Sequence, residues 1–194
     1  MRNPLLDRGS PAELADRGQV VDKKVEIGTF ARLAEVVATD LSSLATEDVP
    51  EKWRQAPVAI RLAFGWADDG RRYPTAEGTV ATRVPAVCQR CLGPLALNLD
   101  VDLKLLLAGP GQIAHATGDY ELWEIDEATI RPLDILEEAL IMAMPLSAMH
   151  GPGESCGTPV ETVLTESGDT VRPFADLRSR ISGRDDGTEP DESE

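Results

Sequence analysis

Two cysteines separated by two residues, Cys88 and Cys91, are the side chains whose type and spacing most clearly allow chemistry. Thiolates bind zinc, and thiols at this spacing also occur in redox motifs. A third cysteine and a histidine come much later in the chain, six residues apart. Structural zinc takes four sulfur or nitrogen ligands in a tetrahedron. The candidate ligands of a structural zinc ion are therefore Cys88, Cys91, Cys156 and His150.

Three interpretations of this Cys-x-x-Cys (CxxC) segment stay open at the level of sequence. The first is the zinc site, although Cys91 and Cys156 lie further apart than the ~15–20 residues usual in zinc ribbons. The second is a set of reduced thiols that simply pack or line a loop. The third is a redox pair, which is the weakest because redox motifs of this kind begin a helix that lowers the thiol pKa. His115 is a less suitable substitute for His150.

The residues around the CxxC have the pattern of β-strands. Leucine and valine alternate with other residues from 95 to 107, and residues 58 to 66 show the same period of two. Such alternation indicates strands with one buried face. We predict an antiparallel meander over about 57–67, 77–87 and 94–107, with the CxxC at the tip of the hairpin joining the last two strands. A short edge strand is expected at 122–125.

Helix signals precede the predicted meander. Ser10 and Glu13 have the spacing of a capping box, Pro11 suits the first helical position, and Gly18 suits the end of a short helix. Apolar residues at helical spacing then predict a second helix over about 30–37, with Thr29 as its N-cap, after a short strand containing three valines.

A third helix is predicted after the meander, over about 132–144. Its apolar face repeats at helical spacing, and Glu137 and Glu138 are placed off that face. The predicted fold class is therefore α+β, an antiparallel β-meander with short N-terminal helices, one amphipathic helix near 132–144 and a flexible C-terminus. We expect a single domain over residues 1–180 and a disordered acidic tail over 181–194, since the last twelve residues hold six acids and one base.

Net charge and composition disfavour some classes of function and favour others. The net charge is −15, from 34 acidic and 19 basic residues, which disfavours broad phosphate binding and points to a basic protein partner. An acidic surface that serves only solubility is the alternative.

No apolar leader or membrane-length segment is present and the cysteine count is odd, so we expect a cytoplasmic protein without a membrane partner. One interpretation is that Arg90 forms a local basic patch with Arg71, Arg72 and Arg83 and contacts RNA phosphates. The alternative is that Arg90 only lies at a solvated hairpin tip.

Four elements in this order resemble the YceD family of bacterial large ribosomal RNA subunit accumulation proteins. They are a Pro-Leu-rich start followed by a short helix, the CxxC entered from a strand and followed by Leu-Gly-Pro-Leu, the run from Ile125 through Asp134 to Glu-Glu-Ala-Leu-Ile-Met-Ala-Met-Pro-Leu, and a late cysteine followed by Arg-Pro-Phe-Ala-Asp-Leu at 172–177. The resemblance covers most of residues 4–180. Some relatives carry more cysteines after the last helix, where this chain has Cys156 alone.

The resemblance implies a role in the synthesis, processing or stability of 23S ribosomal RNA, and no established catalysis. The residues agree, because two histidines leave little room for a nucleophilic triad and the adjacent Glu137 and Glu138 do not form a paired acid/base site. We expect a non-enzymatic accessory factor of large-subunit biogenesis, without a small-molecule substrate. Its expected partner is an assembly particle or a small basic ribosomal protein, with 23S rRNA contacted indirectly or locally. The alternative is a zinc- or thiol-dependent regulatory binding module.

Overall fold

A single five-stranded sheet organises the part of the chain that the computed structural model describes, residues 3–67, 73–109, 119–151, 154 and 156. In chain order the strands are β1 Val20–Glu26, β2 Pro57–Trp66, β3 Pro74–Val87, β4 Pro94–Ala108 and β5 Glu121–Glu124. The helices are α1 Pro11–Asp16, α2 Ala31–Leu41 and α3 Pro132–Ala143, with short 3₁₀ turns at Ile27–Thr29, Thr46–Asp48 and Trp53–Gln55. The predicted α+β class is confirmed.

The sheet runs β1-β2-β3-β4-β5, so each strand pairs with its neighbour in sequence. The first four strands are antiparallel, which extends the predicted three-stranded meander, whereas β5 pairs parallel to β4 through Leu105 opposite Glu121. β3 begins three residues before the predicted boundary, at Pro74, which pairs with Trp66. Proline is tolerated at the first residue of a strand because no ladder hydrogen bond is lost there.

At Gly78 the backbones of β2 and β3 leave no room for a side chain. A Cβ atom at this position would lie 1.9 Å from the Arg61 carbonyl oxygen. The glycine also has a φ of 156°, a value that residues with side chains rarely adopt. Gly78 is therefore required by the neighbouring backbone in the middle of the meander.

Helix α1 forms as its capping pattern predicts. The Glu13 backbone N–H donates to Ser10 Oγ at 3.2 Å, and the Ser10 N–H donates to the Glu13 carboxylate at 2.9 Å. Gly18 has a left-handed φ of 53° after the C-cap Arg17, and Gln19 N–H donates to the Leu14 carbonyl at 3.1 Å. These bonds satisfy backbone groups at each end of a helix only six residues long.

Helix α2 differs from its predicted boundaries, and Thr29 as its N-cap is wrong. The helix starts after Phe30 and continues to Leu41, because Val37 and Leu41 are both buried against the core. Its N-terminus is capped from elsewhere in the chain. The Glu137 carboxylate accepts from the backbone N–H of Arg32 at 2.7 Å and of Leu33 at 3.3 Å.

The placement of Glu137 off the apolar face of α3 is also wrong. Its side chain is only 6% exposed and lies between α3 and the start of α2, where two backbone donors satisfy the buried carboxylate. Its neighbour Glu138 pairs with Arg32 at 2.8 Å nearer the surface. A carboxylate at a helix N-terminus is favourable because of the helix dipole.

The core lies between one face of the sheet and the helices. Helix α2 packs on β3, and α3 packs on β4. The alternating buried side chains of β2 are Val58, Ile60, Leu62 and Phe64. At the end of β4 both faces are covered, since Leu106 packs with Tyr73 and Tyr120 on the side away from the main core.

Several expectations concern residues outside the described ranges. They are the acidic tail 181–194, the domain boundary at 180, the Arg-Pro-Phe-Ala-Asp-Leu segment, His115, Arg71 and Arg72. Residues Met1–Pro159 form one compact unit of the chain. In the described residues, no helix has the length and apolar composition needed to cross a membrane.

Candidate metal centre

Residues 88–93 form the connection between β3 and β4, whose last pair is Val87 with Pro94. Two backbone hydrogen bonds fold it tightly: Cys88 N–H donates to the Gly93 carbonyl at 2.9 Å, and Leu92 N–H donates to the Cys88 carbonyl at 2.8 Å. Leu92 has a left-handed φ of 57°, which lets the chain turn back directly after Cys91. The turn directs both cysteine side chains towards one point.

The segment after α3 lies against this turn. The Gln89 N–H donates to the Ala148 carbonyl at 2.8 Å, and Ala148 itself is buried. Two residues later comes His150, followed by Cys156. A backbone hydrogen bond thus holds the second half of the candidate ligand set beside the first.

The four predicted ligands converge. The sulfur atoms of Cys88, Cys91 and Cys156 and a ring nitrogen of His150 all lie within 4.8 Å of one another. The Cys88 and Cys156 sulfurs are 3.8 Å apart, and Cys91 Sγ is 3.6 Å from His150 Nδ1. Tetrahedral zinc with ordinary bond lengths requires edges of about 3.8 Å between two sulfurs and about 3.6 Å between sulfur and nitrogen. These two of the six ligand–ligand distances match a zinc tetrahedron, and the other four are at most 4.8 Å.

The orientation of His150 suits a metal ligand. Its Nε2–H donates to the Pro94 carbonyl at 3.2 Å, because a carbonyl oxygen can only accept. This leaves the Nδ1 lone pair directed to the cysteine sulfurs. Metal-binding histidines are commonly held in this way by a backbone carbonyl on the second nitrogen.

The local environment shifts the pKa values of Cys88 and Cys156 in opposite directions. Burial of Cys88 raises its pKa, but the backbone N–H groups of Cys91, His150 and Arg90 donate to the sulfur and bring the pKa of Cys88 down to about 5. Burial, and then the sulfurs of Cys91 and Cys88, raise the pKa of Cys156 to about 11. The Cys88 sulfur also raises the pKa of His150. Cys88 thus has more thiolate character than Cys156.

A redox pair fits this geometry less well. The CxxC lies between two strands and not at the start of a helix, where redox motifs of this kind have the thiol pKa lowered by the helix dipole. Sequence reasoning missed the supporting groups, namely the Pro94 and Ala148 carbonyls and the N–H donors around Cys88. Backbone groups carry no residue-type signal, so only a folded chain reveals them.

Comparison with known proteins gives one match. The family model described as large ribosomal RNA subunit accumulation protein YceD matches residues 76–179, more than half of the 194 residues. The matched region starts in β3 and includes the four converging ligands. Comparison with curated proteins and with solved structures gives no match.

Proposed function

Because the chain belongs to the YceD family of large ribosomal RNA subunit accumulation proteins, we propose that it is a non-enzymatic accessory factor in large ribosomal subunit biogenesis. In this proposal it supports the synthesis, processing or stability of 23S rRNA in the cytoplasm. The single observation that carries the proposal is the family match, which extends from β3 beyond the Cys/His cluster.

The arrangement of acidic residues supports a non-enzymatic role. A nuclease that uses metal ions needs several carboxylates converging on one or two cations. Among the described residues, the only converging group of metal-ligating side chains is the Cys/His cluster. Its sulfur and nitrogen donors suit zinc in a structural site, since four protein ligands leave no open position for water.

The charge supports a basic protein partner. With a net charge of −15, the chain attracts cations and repels a bare phosphate backbone. Ribosomal RNA would then be reached through the partner, or locally through basic side chains such as Arg90. We propose a small basic ribosomal protein, or a large-subunit assembly particle that carries one, as the direct partner.

We further propose that Cys88, Cys91, Cys156 and His150 bind one structural zinc ion. The ion would join the β3–β4 connection to the segment after α3. Support comes from the two ligand–ligand distances that match a zinc tetrahedron and from the hydrogen bond that Nε2 of His150 donates. The chemistry that zinc supplies here is cross-linking of two distant segments.

Depletion of the protein in its host tests the ribosomal role. We expect a reduced amount of mature 23S rRNA and a deficit of large subunits, with the small subunit less affected, measured by RNA quantification and sedimentation of ribosomal particles. The control is the same strain carrying the wild-type chain on a second copy. Normal 23S rRNA and normal particles after depletion would remove the proposal.

Metal analysis separates zinc from the alternative, a thiol-dependent regulatory module. We expect one zinc per purified chain, lost in Cys88→Ser and retained in Arg90→Ser, whose side chain is an exposed neighbour. A metal-free wild-type protein that forms a reversible disulfide between Cys88 and Cys91 would favour the regulatory module instead.

A further inference from the structure

A cleft of about 380 Å³ lies between α3 and the edge of the sheet, away from the Cys/His cluster. Alternating side chains of β4 form its floor, and residues of β5 and the C-terminal half of α3 form its walls. The apolar lining residues are Val101, Leu103, Leu105, Leu122, Trp123, Ala139, Met142 and Ala143. Because β5 is the last strand of the sheet, no further strand in the described residues closes this side.

Apolar side chains extend from the cleft onto the surface. Met142 lines the cleft and is 72% exposed. Leu122, on β5, also lines the cleft and is 37% exposed. Isolated exposed apolar residues are ordinary, but exposed apolar residues that line one apolar cleft are typical of binding surfaces. Methionine is frequent in such surfaces because its side chain adapts to different partners.

The charged residues that line the cleft have one sign. They are Asp102, Glu121 and Glu124, and the lining contains no lysine or arginine. Of the charged residues just beyond, Lys104 already pairs with Asp119 at 3.8 Å. Acidic groups around an apolar cleft favour a cationic ligand and repel phosphate.

We propose that this cleft binds a short basic segment of a protein partner, which inserts an apolar side chain against Met142 and places lysine or arginine beside the acidic residues of the lining. The identity of the partner as a ribosomal protein rests on the proposed function; the chemistry of the segment rests on the cleft alone. Affinity then comes from the apolar anchor, while the carboxylates select a basic sequence.

The test measures binding of a defined probe to the full chain. The probe is a short fluorescein-labelled peptide with leucines at helical spacing and lysines elsewhere, followed by fluorescence anisotropy at physiological salt. We expect Met142→Ser to weaken binding about tenfold. The double variant Glu121→Gln with Glu124→Gln is expected to weaken it about fivefold. Val20→Ser changes an exposed apolar residue on the opposite edge strand and should leave the affinity unchanged.

Four outcomes would overturn the proposal. Equal affinity for a peptide with serine in place of leucine would mean that only charge acts. Tighter binding by an oligouridylate that depends on Met142 would identify an RNA surface. A tenfold gain in peptide affinity in Phe174→Ser would mean that the chain's own C-terminal segment occupies the cleft. A dimer in sedimentation that dissociates in Met142→Ser would identify a second copy as the occupant.

A rescue experiment separates this proposal from the ribosomal role. If depletion leaves 23S rRNA normal, the ribosomal role fails, whereas Met142-dependent peptide binding still supports the cleft. If depletion lowers 23S rRNA and Met142→Ser restores it fully, the ribosomal role stands and the cleft is not its partner site. Failure of a folded Met142→Ser chain to restore 23S rRNA, with Val20→Ser restoring it, supports both.

Discussion

At the residue scale, Cys88 combines burial with three backbone donors to its sulfur. These donors belong to the same tight turn and to His150, so the turn geometry itself favours the thiolate. Leu92 completes the turn with a left-handed φ that leucine adopts at a cost. Formation of the turn therefore depends on backbone conformation as much as on side chains.

Replacing Leu92 by glycine should stabilise the protein by about 1 kcal/mol or less, because relief of the left-handed conformation outweighs the greater freedom of glycine in the unfolded chain. The side chain is 59% exposed, so little packing is lost. Leu92→Ala keeps the unfavourable φ and serves as the control, with no gain expected. Chemical denaturation measures both; equal stability of the two variants would contradict the account.

At the element scale, the meander requires close contact of β2 with β3. Gly78→Ala should cost about 3 kcal/mol or more, because the new methyl group would overlap the Arg61 carbonyl. Gly65→Ala is the matched control on β2, where the added Cβ meets Thr75 Oγ1 at an ordinary 3.7 Å. We expect it to change stability by less than about 1 kcal/mol. Similar unfolding midpoints for the two variants would argue against the close approach.

The junction of α2 and α3 depends on Glu137. Glu137→Ala should destabilise by about 1–3 kcal/mol, because two backbone N–H groups of α2 lose their acceptor. Glu138→Ala removes only a partly exposed ion pair with Arg32 and should cost less than about 1 kcal/mol. Urea unfolding measures the loss of stability in both variants. A larger loss in Glu138→Ala than in Glu137→Ala would refute the capping role of Glu137.

Local sequence patterns predict the cap of α1 and the alternating strands. The capping box around Ser10 and Glu13 involves residues three apart, and the strand alternation involves residues two apart, so sequence spacing identifies them. The N-terminus of α2 could not be identified in this way. Its acceptor, Glu137, is 105 residues from Arg32, and local spacing suggested Thr29 instead.

At the scale of the whole molecule, the proposed zinc ion links segments that are distant in sequence. Cys88 and Cys156 are 68 residues apart in the sequence, and Cys91 and His150 are 59 residues apart. A ligand that binds only the folded chain stabilises it by mass action, by about 4 kcal/mol when present at a thousand times its dissociation constant. The metal would therefore stabilise the entire cooperative unit.

Removal of zinc with a strong chelator should lower the melting temperature of the wild-type chain by several degrees, and restoring zinc should reverse the change. Cys88→Ser should melt near the chelated wild type and show no response to chelator. Calorimetry of both proteins, with and without chelator, makes the comparison. An unchanged wild-type melting temperature would contradict a structural role for the metal.

The amino-acid sequence by itself determined the α+β class, the alternating strands, the cap of α1, the four candidate ligands and the resemblance to a family, because each depends on residue type and short spacing. Only the tertiary structure decided that Cys156 and His150 meet the CxxC, that β5 pairs parallel to β4 and that Glu137 caps α2. These features join residues brought together by packing of the sheet and helices. No local pattern specifies such contacts, since they depend on the path of the whole chain.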